Sequence, residues 1–420
     1  MIGCGLDFGT SNSAIGVARE GRVELAPVED GRTLLPSAVF FGDDAAEPVQ
    51  FGDAAIAAYV GQHEGRLLRA LKSLLGSSLI DEETRLAGRK MPLTRVVEIF
   101  VRHLKRKAEE FAGAEIADVV MGRPVRFVDG DDAADAAAQA ALEAIAKKAG
   151  FRNVAFAFEP IAAAHHYERT VEREALALVA DIGGGTSDFS VVRMGPERRL
   201  RAERAQDVLA TGGVHIGGTD FDTSLSLARL MPLLDHGTRL VEKNLSMPNA
   251  LYFELAAWAT INFAYTRKNE REIAELAAIA AEPAKVERLS NVVRHRLGHR
   301  LAFAVETAKM ELSAADRATL PLDFLEPGLA LEAARADLEA AVAAQIDRLQ
   351  SAAGACIAAA GLKPEAVETI LLTGGSSRVP AVRAAIARAA PAAKLAGSSD
   401  LLSVALGLTQ MADIRARGRA

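Results

Sequence analysis

Asp7-Phe8-Gly9-Thr10-Ser11-Asn12-Ser13 and, near the middle of the chain, Asp181-Ile182-Gly183-Gly184-Gly185-Thr186-Ser187-Asp188 are two versions of one pattern. Each opens with an aspartate at the end of an apolar run, turns through glycine and continues into hydroxyl residues. An apolar run that ends in such a turn predicts a buried strand and a tight hairpin. Glycine lets the backbone approach a phosphate and aim its N–H groups at it. Hydroxyls at Thr10, Ser11 and Thr186 add neutral donors. A carboxylate repels phosphate, so Asp7 and Asp181 make chemical sense with a hydrated Mg²⁺ between them and the ligand. Read singly, each stretch is equally well explained as an ordinary turn built from Gly and Asp. As a pair, they predict a clamp for a Mg-nucleotide between two related lobes.

Working outward, Ile2–Asp7 predicts a strand and Ala14–Ala18 its return, with Gly21-Arg22 as the next turn. Ala38–Phe41 predicts another strand, and the stretch from Gly52 to about Met91 a less regular, helix-rich region. Val96, Val97, Phe100, Val101 and Leu104 share one face of a helix over Thr94–Glu110. Asp118–Met121 predicts a strand and Asp131–Gly150 a helix stopped by glycine. The second half repeats the theme with strands over Ala175–Asp181, Phe189–Met194 and Thr369–Thr373. A mostly helical stretch runs from Gly217-Gly218 to about Ser313, and a closing helix spans Ser403–Ala412. Strands mixed with helices in two halves place the chain in the α/β class.

Composition narrows the function. The chain has 420 residues, more than one compact core usually holds. Its net charge is −6 and only 5% of its residues are aromatic, which argues against nucleic acid as the main ligand. Two cysteines, Cys4 and Cys356, form no pairing or zinc pattern, and no stretch predicts a membrane span or leader, so a cytoplasmic setting is expected. Neither a G-x-x-x-x-G-K-[ST] loop nor a G-x-G-x-x-G after the first strand is present, which excludes the P-loop and dinucleotide-binding classes. His295 and His299 have a ligand-like spacing, but Arg294, Arg296 and Arg300 repel a cation, so they read as a solvated basic helix face.

Further motifs carry a resemblance. Phe158-Glu159-Pro160-Ile161-Ala162-Ala163-Ala164, Gly217-Gly218-Thr219-Asp220-Phe221-Asp222, Glu306-Thr307-Ala308-Lys309-Met310-Glu311-Leu312-Ser313 and Leu372-Thr373-Gly374-Gly375-Ser376-Ser377-Arg378-Val379-Pro380 follow the two hairpins in order. With them the sequence resembles the nucleotide-binding domain of the heat-shock protein 70 (DnaK-like) family over nearly the whole chain. The resemblance implies an actin-like ATPase (ribonuclease H-like) fold, with two lobes and a nucleotide cleft between them. Lobe I would comprise 1–176 and 401–420, with a subdomain at about 37–93. Lobe II would comprise 177–400, with a subdomain at about 220–313.

The resemblance also implies roles. Asp7 and Asp181 would hold Mg²⁺ through water, and Gly9, Thr10, Ser11, Asn12, Gly183, Gly184, Gly185 and Thr186 would cradle ATP or ADP phosphates. Lys72 falls where the family keeps a lysine beside the γ-phosphate and the attacking water. Glu159, Asp188 and Thr186 would serve the same step, and Pro124 would couple nucleotide state to lobe closure. Gly217, Gly218, Glu306, Lys309, Ser313, Gly374, Gly375, Ser376 and Arg378 would hold ribose and adenine, with Leu401 or Asp400 facing the base. Met310 replaces the basic residue that some members stack on adenine.

Full-length chaperones of this family continue into a peptide-gripping β-sandwich and a lid. The given chain stops at Ala420, so the short YegD-like members are the expected subgroup, and a protein client or co-chaperone the expected partner, with no nucleic acid and no membrane. Two other functions share the superfold: a sugar kinase or polyphosphate phosphatase, and an actin-like filament or scaffold protein. No added sugar-binding segment is evident, and Lys72 with Glu159 suits water as the phosphoryl acceptor.

Overall fold

The computed structural model of the chain describes residues 2–44, 49–75, 77, 80, 82–86, 89–128, 130–201, 204–238, 247–396 and 402–418. The two candidates for facing the base, Asp400 and Leu401, lie outside the described residues.

The first sheet is built on β1 (Gly3–Phe8), β2 (Asn12–Arg19), β3 (Arg22–Leu25), β4 (Asp118–Arg123) and β5 (Asn153–Phe158), in the order β5-β4-β1-β2-β3. Strands β1, β2 and β3 are antiparallel neighbours, whereas β4 and β5 run parallel to β1. The second sheet repeats this plan with β6 (Ala175–Ile182), β7 (Ser187–Met194), β8 (Val208–Val214), β9 (Thr369–Thr373) and β10 (Lys394–Leu395), in the order β10-β9-β6-β7-β8. Again the first three strands are antiparallel and the last two parallel to the first. The central strands are apolar almost without interruption because helices cover both faces of each sheet.

The helix over Leu93–Ala112 buries Val96, Val97, Phe100, Val101 and Leu104 against the first sheet. It ends at Gly113, whose φ of 65° is open to glycine at no steric cost. The helix Asp132–Ala149 packs beside it and starts at Asp131, whose carboxylate accepts the N–H groups of Ala133 and Ala134 at 3.1 and 2.9 Å. Helices Glu159–Tyr167 and Ser403–Gly418 cover the opposite face. Their Ile161, Ala163 and Leu408 share one apolar cluster with Ala177, Val179 and Val192 of the second sheet, so this layer joins the lobes. Contact there is close. A Cβ on Gly5 of β1 would lie 2.2 Å from the Thr409 nitrogen, and one on Gly407 would lie 1.8 Å from the Ala162 carbonyl oxygen.

The region from Gly52 to Met91 is less helical than its sequence suggests. Among the described residues, the helix Gly52–Val60 is followed by the strand Gly65–Arg69, a 3₁₀ turn at Leu71–Leu74 and the paired strands Glu83–Leu86 and Arg89–Pro92. The Gly65–Arg69 strand pairs with Ala38–Gly42, and this distant pairing overrides the weak local preference. The helical stretch after Gly217 begins with Gly218–Leu225 and ends with Gly298–Leu312, as expected. Among the described residues, no helix is long and apolar enough to cross a membrane.

Candidate functional site

The turns that follow β1 and β6 meet across the space between the sheets. A Cβ on Gly184 would lie 2.3 Å from the Ser11 hydroxyl oxygen, so the two turns come close enough that a side chain there would push that hydroxyl aside. The first turn is braced by Ser37, whose hydroxyl donates to the Gly9 carbonyl at 2.7 Å and whose N–H donates to the Ser11 carbonyl at 2.8 Å. The second is closed by the Gly183 N–H donating to the Thr186 carbonyl at 2.9 Å. Four outside donors hold its carbonyls: the Gly218 N–H and the Ser376 hydroxyl on Gly183 at 3.0 and 2.9 Å, and the N–H and hydroxyl of Thr219, both on Gly184 at 2.8 Å. With the carbonyls engaged this way, the turn is fixed before any ligand arrives.

Asp7 and Asp181 occupy equivalent places near the ends of β1 and β6, and Asp181 lies opposite both Asp188 and Thr373. Lys72, on the 3₁₀ turn, reaches Glu159 at the start of its helix, with Nζ 2.5 Å from Oε1. Enclosure in the cleft and the charge of Glu159 push the Asp7 carboxyl up to about 8, against the pull of Lys72. Enclosure, Glu159 and Asp188 push Asp181 up to about 7, again against Lys72. Burial works against the charge on Lys72, yet Glu159, Asp7 and Asp181 outweigh it and raise its pKa. Three carboxylates around one ammonium leave an excess of negative charge that a hydrated divalent cation would balance, so this donor set fits Mg²⁺.

Pro124, Glu159, Asp181, Asp188 and Thr373 line one cavity of about 300 Å³ beside this pair. The Thr186 hydroxyl donates to Asp188 at 3.1 Å.

The residues expected around ribose and adenine divide. Gly217, Gly218, Gly374 and Ser376 pack on the second turn. A Cβ on Gly217 would lie 2.5 Å from the Gly184 carbonyl, and one on Gly374, where φ is 77°, 2.3 Å from the Ile182 carbonyl oxygen. Lys309 is buried: its ammonium lies 2.8 Å from Asp222 and donates to the Gly218 carbonyl at 3.1 Å. Burial pushes Asp222 up to about 6, opposed by Lys309. Ser313 spends its hydroxyl on the Lys309 carbonyl of its own helix at 3.0 Å. Gly375 and Arg378 belong to an exposed part of the following 3₁₀ turn, and Met310 is 66% exposed. Glu306 pairs with Arg69 of the other lobe at 3.3 Å.

That last contact belongs to a roof over the cleft that sequence reasoning missed. The Arg69 guanidinium lies 4.6 Å from the centre of the Trp258 ring, and the Tyr59 hydroxyl lies 3.3 Å from Nδ1 of His299. His299 is therefore not on a solvated basic face. It is 7% exposed and stands edge-on to both Tyr59 and Trp258. Its basic neighbours in sequence point elsewhere because adjacent helix positions diverge.

Comparison with known proteins decides the family. The family model described as Hsp70 protein matches residues 3–229 and 276–415. This chain belongs to the Hsp70 family. Its duplicated sheets are the actin-like ATPase fold. The chain is similar to the chaperone protein HscA homolog of Variovorax paradoxus (strain S110), with 27% identity over 405 residues, 92% of this chain and 54% of that protein. It is 27% identical to the corresponding protein of Azotobacter vinelandii (strain DJ / ATCC BAA-1303) over 433 residues, 98% of this chain and 58% of that one. The chaperone protein HscA homolog of Vibrio vulnificus (strain YJ016) is 33% identical over 243 residues, 53% of this chain and 36% of its own length. The chain thus spans about half the length of the two relatives that it matches over most of its own length.

Proposed function

We propose that the chain binds Mg-ATP between its two hairpins and hydrolyses it slowly, so that nucleotide state sets how the lobes close. The observation that carries this reading is the Lys72–Glu159 pair, 2.5 Å apart beside Asp7 and Asp181. The backbone N–H groups of the two turns, with Thr10, Ser11, Asn12 and Thr186, bind the phosphates. Lys72 offsets charge on the phosphoryl oxygens while Glu159 and Asp188 orient the attacking water. Mg²⁺, when bound through water to Asp7 and Asp181, neutralises the phosphates. Gly217, Gly218, Gly374, Gly375, Ser376 and Arg378 bound the nucleoside side, and the Lys309–Asp222 pair and Glu306 shape it from the facing helix. Pro124, next to Glu159 in the cavity lining, transmits the change.

In this reading lobe I comprises 1–176 with 401–420 and lobe II comprises 177–400. The output goes to a protein client or co-chaperone, as the chaperone names of the relatives suggest. The setting is cytoplasmic, in keeping with two buried, unpaired cysteines.

Nucleotide titration and phosphate release on the purified chain test the reading. Mg-ATP should bind at least tenfold more tightly than to the Asp181→Ala variant, with water as the acceptor. Equal affinities would overturn the clamp, and transfer to sugars with little release to water would overturn the switch.

A further inference from the structure

One residue outside the phosphate turns holds the first hairpin at three points. Ser37 immediately precedes the strand Ala38–Gly42 and is 2% exposed. Its hydroxyl donates to the Gly9 carbonyl at 2.7 Å, and its N–H donates to the Ser11 carbonyl at 2.8 Å. Its hydroxyl oxygen also lies 2.9 Å from that of the buried Ser13. The one hydroxyl proton of Ser37 is spent on Gly9, so Ser13 is the donor in this third contact. Asn12 and Ser13 are paired in turn with Pro36 and Leu35. A displacement of Ser37 therefore carries the whole first turn with it.

On its other side Ser37 leads to the roof. The next residue, Ala38, stands opposite Arg69 in the antiparallel pairing of Ala38–Gly42 with Gly65–Arg69. Arg69 is the residue that pairs with Glu306 and lies against the Trp258 ring. Ala70 follows with φ of 55°, a left-handed conformation that turns the chain into the 3₁₀ segment bearing Lys72. A single strand register thus joins the roof arginine, the approach to Lys72 and the serine that braces the first turn.

We infer that Ser37 is a positioning residue of the hydrolysis step, through which closure of the roof sets the aim of the first turn. With Arg69 held by Glu306 and Trp258, the strand pair fixes Ser37. Ser37 then fixes the carbonyls of Gly9 and Ser11, so the N–H groups and hydroxyls between them keep one direction. When the roof opens, the strand pair moves and the turn loses that direction. Binding suffers less, because the second turn is held independently by Gly218, Thr219 and Ser376. Reaction rate depends on orientation more steeply than affinity does. The inference rests on the Mg-ATP clamp and adds to it a route from the roof to the phosphates.

Single-turnover hydrolysis and Mg-ATP titration on the full chain test it. Ser37→Ala should lower the hydrolysis rate at least tenfold and the affinity less than threefold. Ser13→Ala is the control: it deletes the buried hydroxyl pair but keeps both bonds from Ser37 to the turn, so hydrolysis should stay within threefold of wild type. Arg69→Ala should slow hydrolysis at least threefold in the chain that keeps Ser37, and less than twofold in the Ser37→Ala background. One further readout leaves Ser37 in place. With Mg-ADP bound, Arg69→Ala should quicken amide hydrogen exchange at Thr10, Ser11 and Asn12. Equal losses in Ser37→Ala and Ser13→Ala, independent effects of Ser37→Ala and Arg69→Ala, or unchanged exchange at the first turn would overturn this inference and leave the clamp standing. A wild-type chain that binds no Mg-ATP would overturn both.

Discussion

The ammonium of Lys72 lies 2.5 Å from Oε1 of Glu159, and the contact joins residues 87 positions apart in the sequence. Asp7 and Asp181 feel both charges. Removing Lys72 therefore leaves Asp7, Asp181 and Glu159 without the cation beside them. Lys72→Ala should lower single-turnover ATP hydrolysis about 10²–10³-fold, the loss typical for one preorganised group that stabilises transition-state charge. ATP affinity should change far less. A hydrolysis rate within threefold of wild type would remove Lys72 from the reaction.

The raised carboxyls make stability depend on pH. In the folded chain Asp7 titrates at about 8 and Asp181 at about 7, both above the ordinary value of 3.8. These two carboxyls bind more protons in the folded than in the unfolded chain between these values. Burial lowers the pKa values of His103, His165 and His299, which pull the other way below about 6.5, so the decline in stability is expected as pH rises from about 6.5 to 8. In Mg²⁺-free buffer without nucleotide, melting temperature should decline over that window. Asp181→Asn should flatten part of the decline, and Mg-ATP should offset it by binding the ionised form. A wild-type melting profile that rises over the same window would contradict this assignment of the protons.

The roof should control how fast nucleotide leaves. Arg69→Ala removes the ion pair with Glu306 and the contact with the Trp258 ring. Together these are worth about 1–2 kcal/mol, or roughly 5- to 30-fold in the release rate. Tyr59→Phe deletes only the hydroxyl facing His299 and should change release by less than Arg69→Ala does. Stopped-flow release of a fluorescent ADP distinguishes the two variants. Equal rates in wild type and Arg69→Ala would mean that the roof does not gate the cleft.

Two adjacent glycines should differ in tolerance. A Cβ at Gly217 meets backbone, the Gly184 carbonyl at 2.5 Å, whereas a Cβ at Gly218 first meets the Ser376 hydroxyl, also at 2.5 Å. A hydroxyl can rotate away and a main chain cannot. Gly217→Ala should cost about 1–3 kcal/mol by urea unfolding and weaken ATP binding, and Gly218→Ala should cost less. The reverse order would show that the second turn is softer than its hydrogen bonds suggest.

The parts of the site readable in the sequence are those that a few neighbouring residues specify. Each hairpin carries its own aspartate, glycine and hydroxyls, and the matching sheet orders follow from the repeated strand pattern. The helix Leu93–Ala112 was equally legible because its apolar spacing is regular. Lys72 was harder: its turn is too short to show a period, and only the resemblance singled it out. Arg69 carries no local mark, and Asp222 closes a recognisable motif that does not disclose its partner. Their roles arise because chain far away in sequence brings Lys309 and Glu306 to them. His299 was misread for the same reason, since its partners Tyr59 and Trp258 come from other segments.

The close seating of β1 against the helix Ser403–Gly418 has a bearing on the order of assembly. The Gly5 backbone touches Thr409 with no room for a methyl group, so this helix is part of the layer that the first strand needs. A ribosome that adds about 5–20 residues per second would make β1 roughly 20–80 s before that helix. During this interval the earliest strand lacks its final cover, while most of the second lobe can already pack around its own core. Lobe I is thus begun first and finished last, and in the meantime β1 is a natural point for a nascent-chain chaperone to shield.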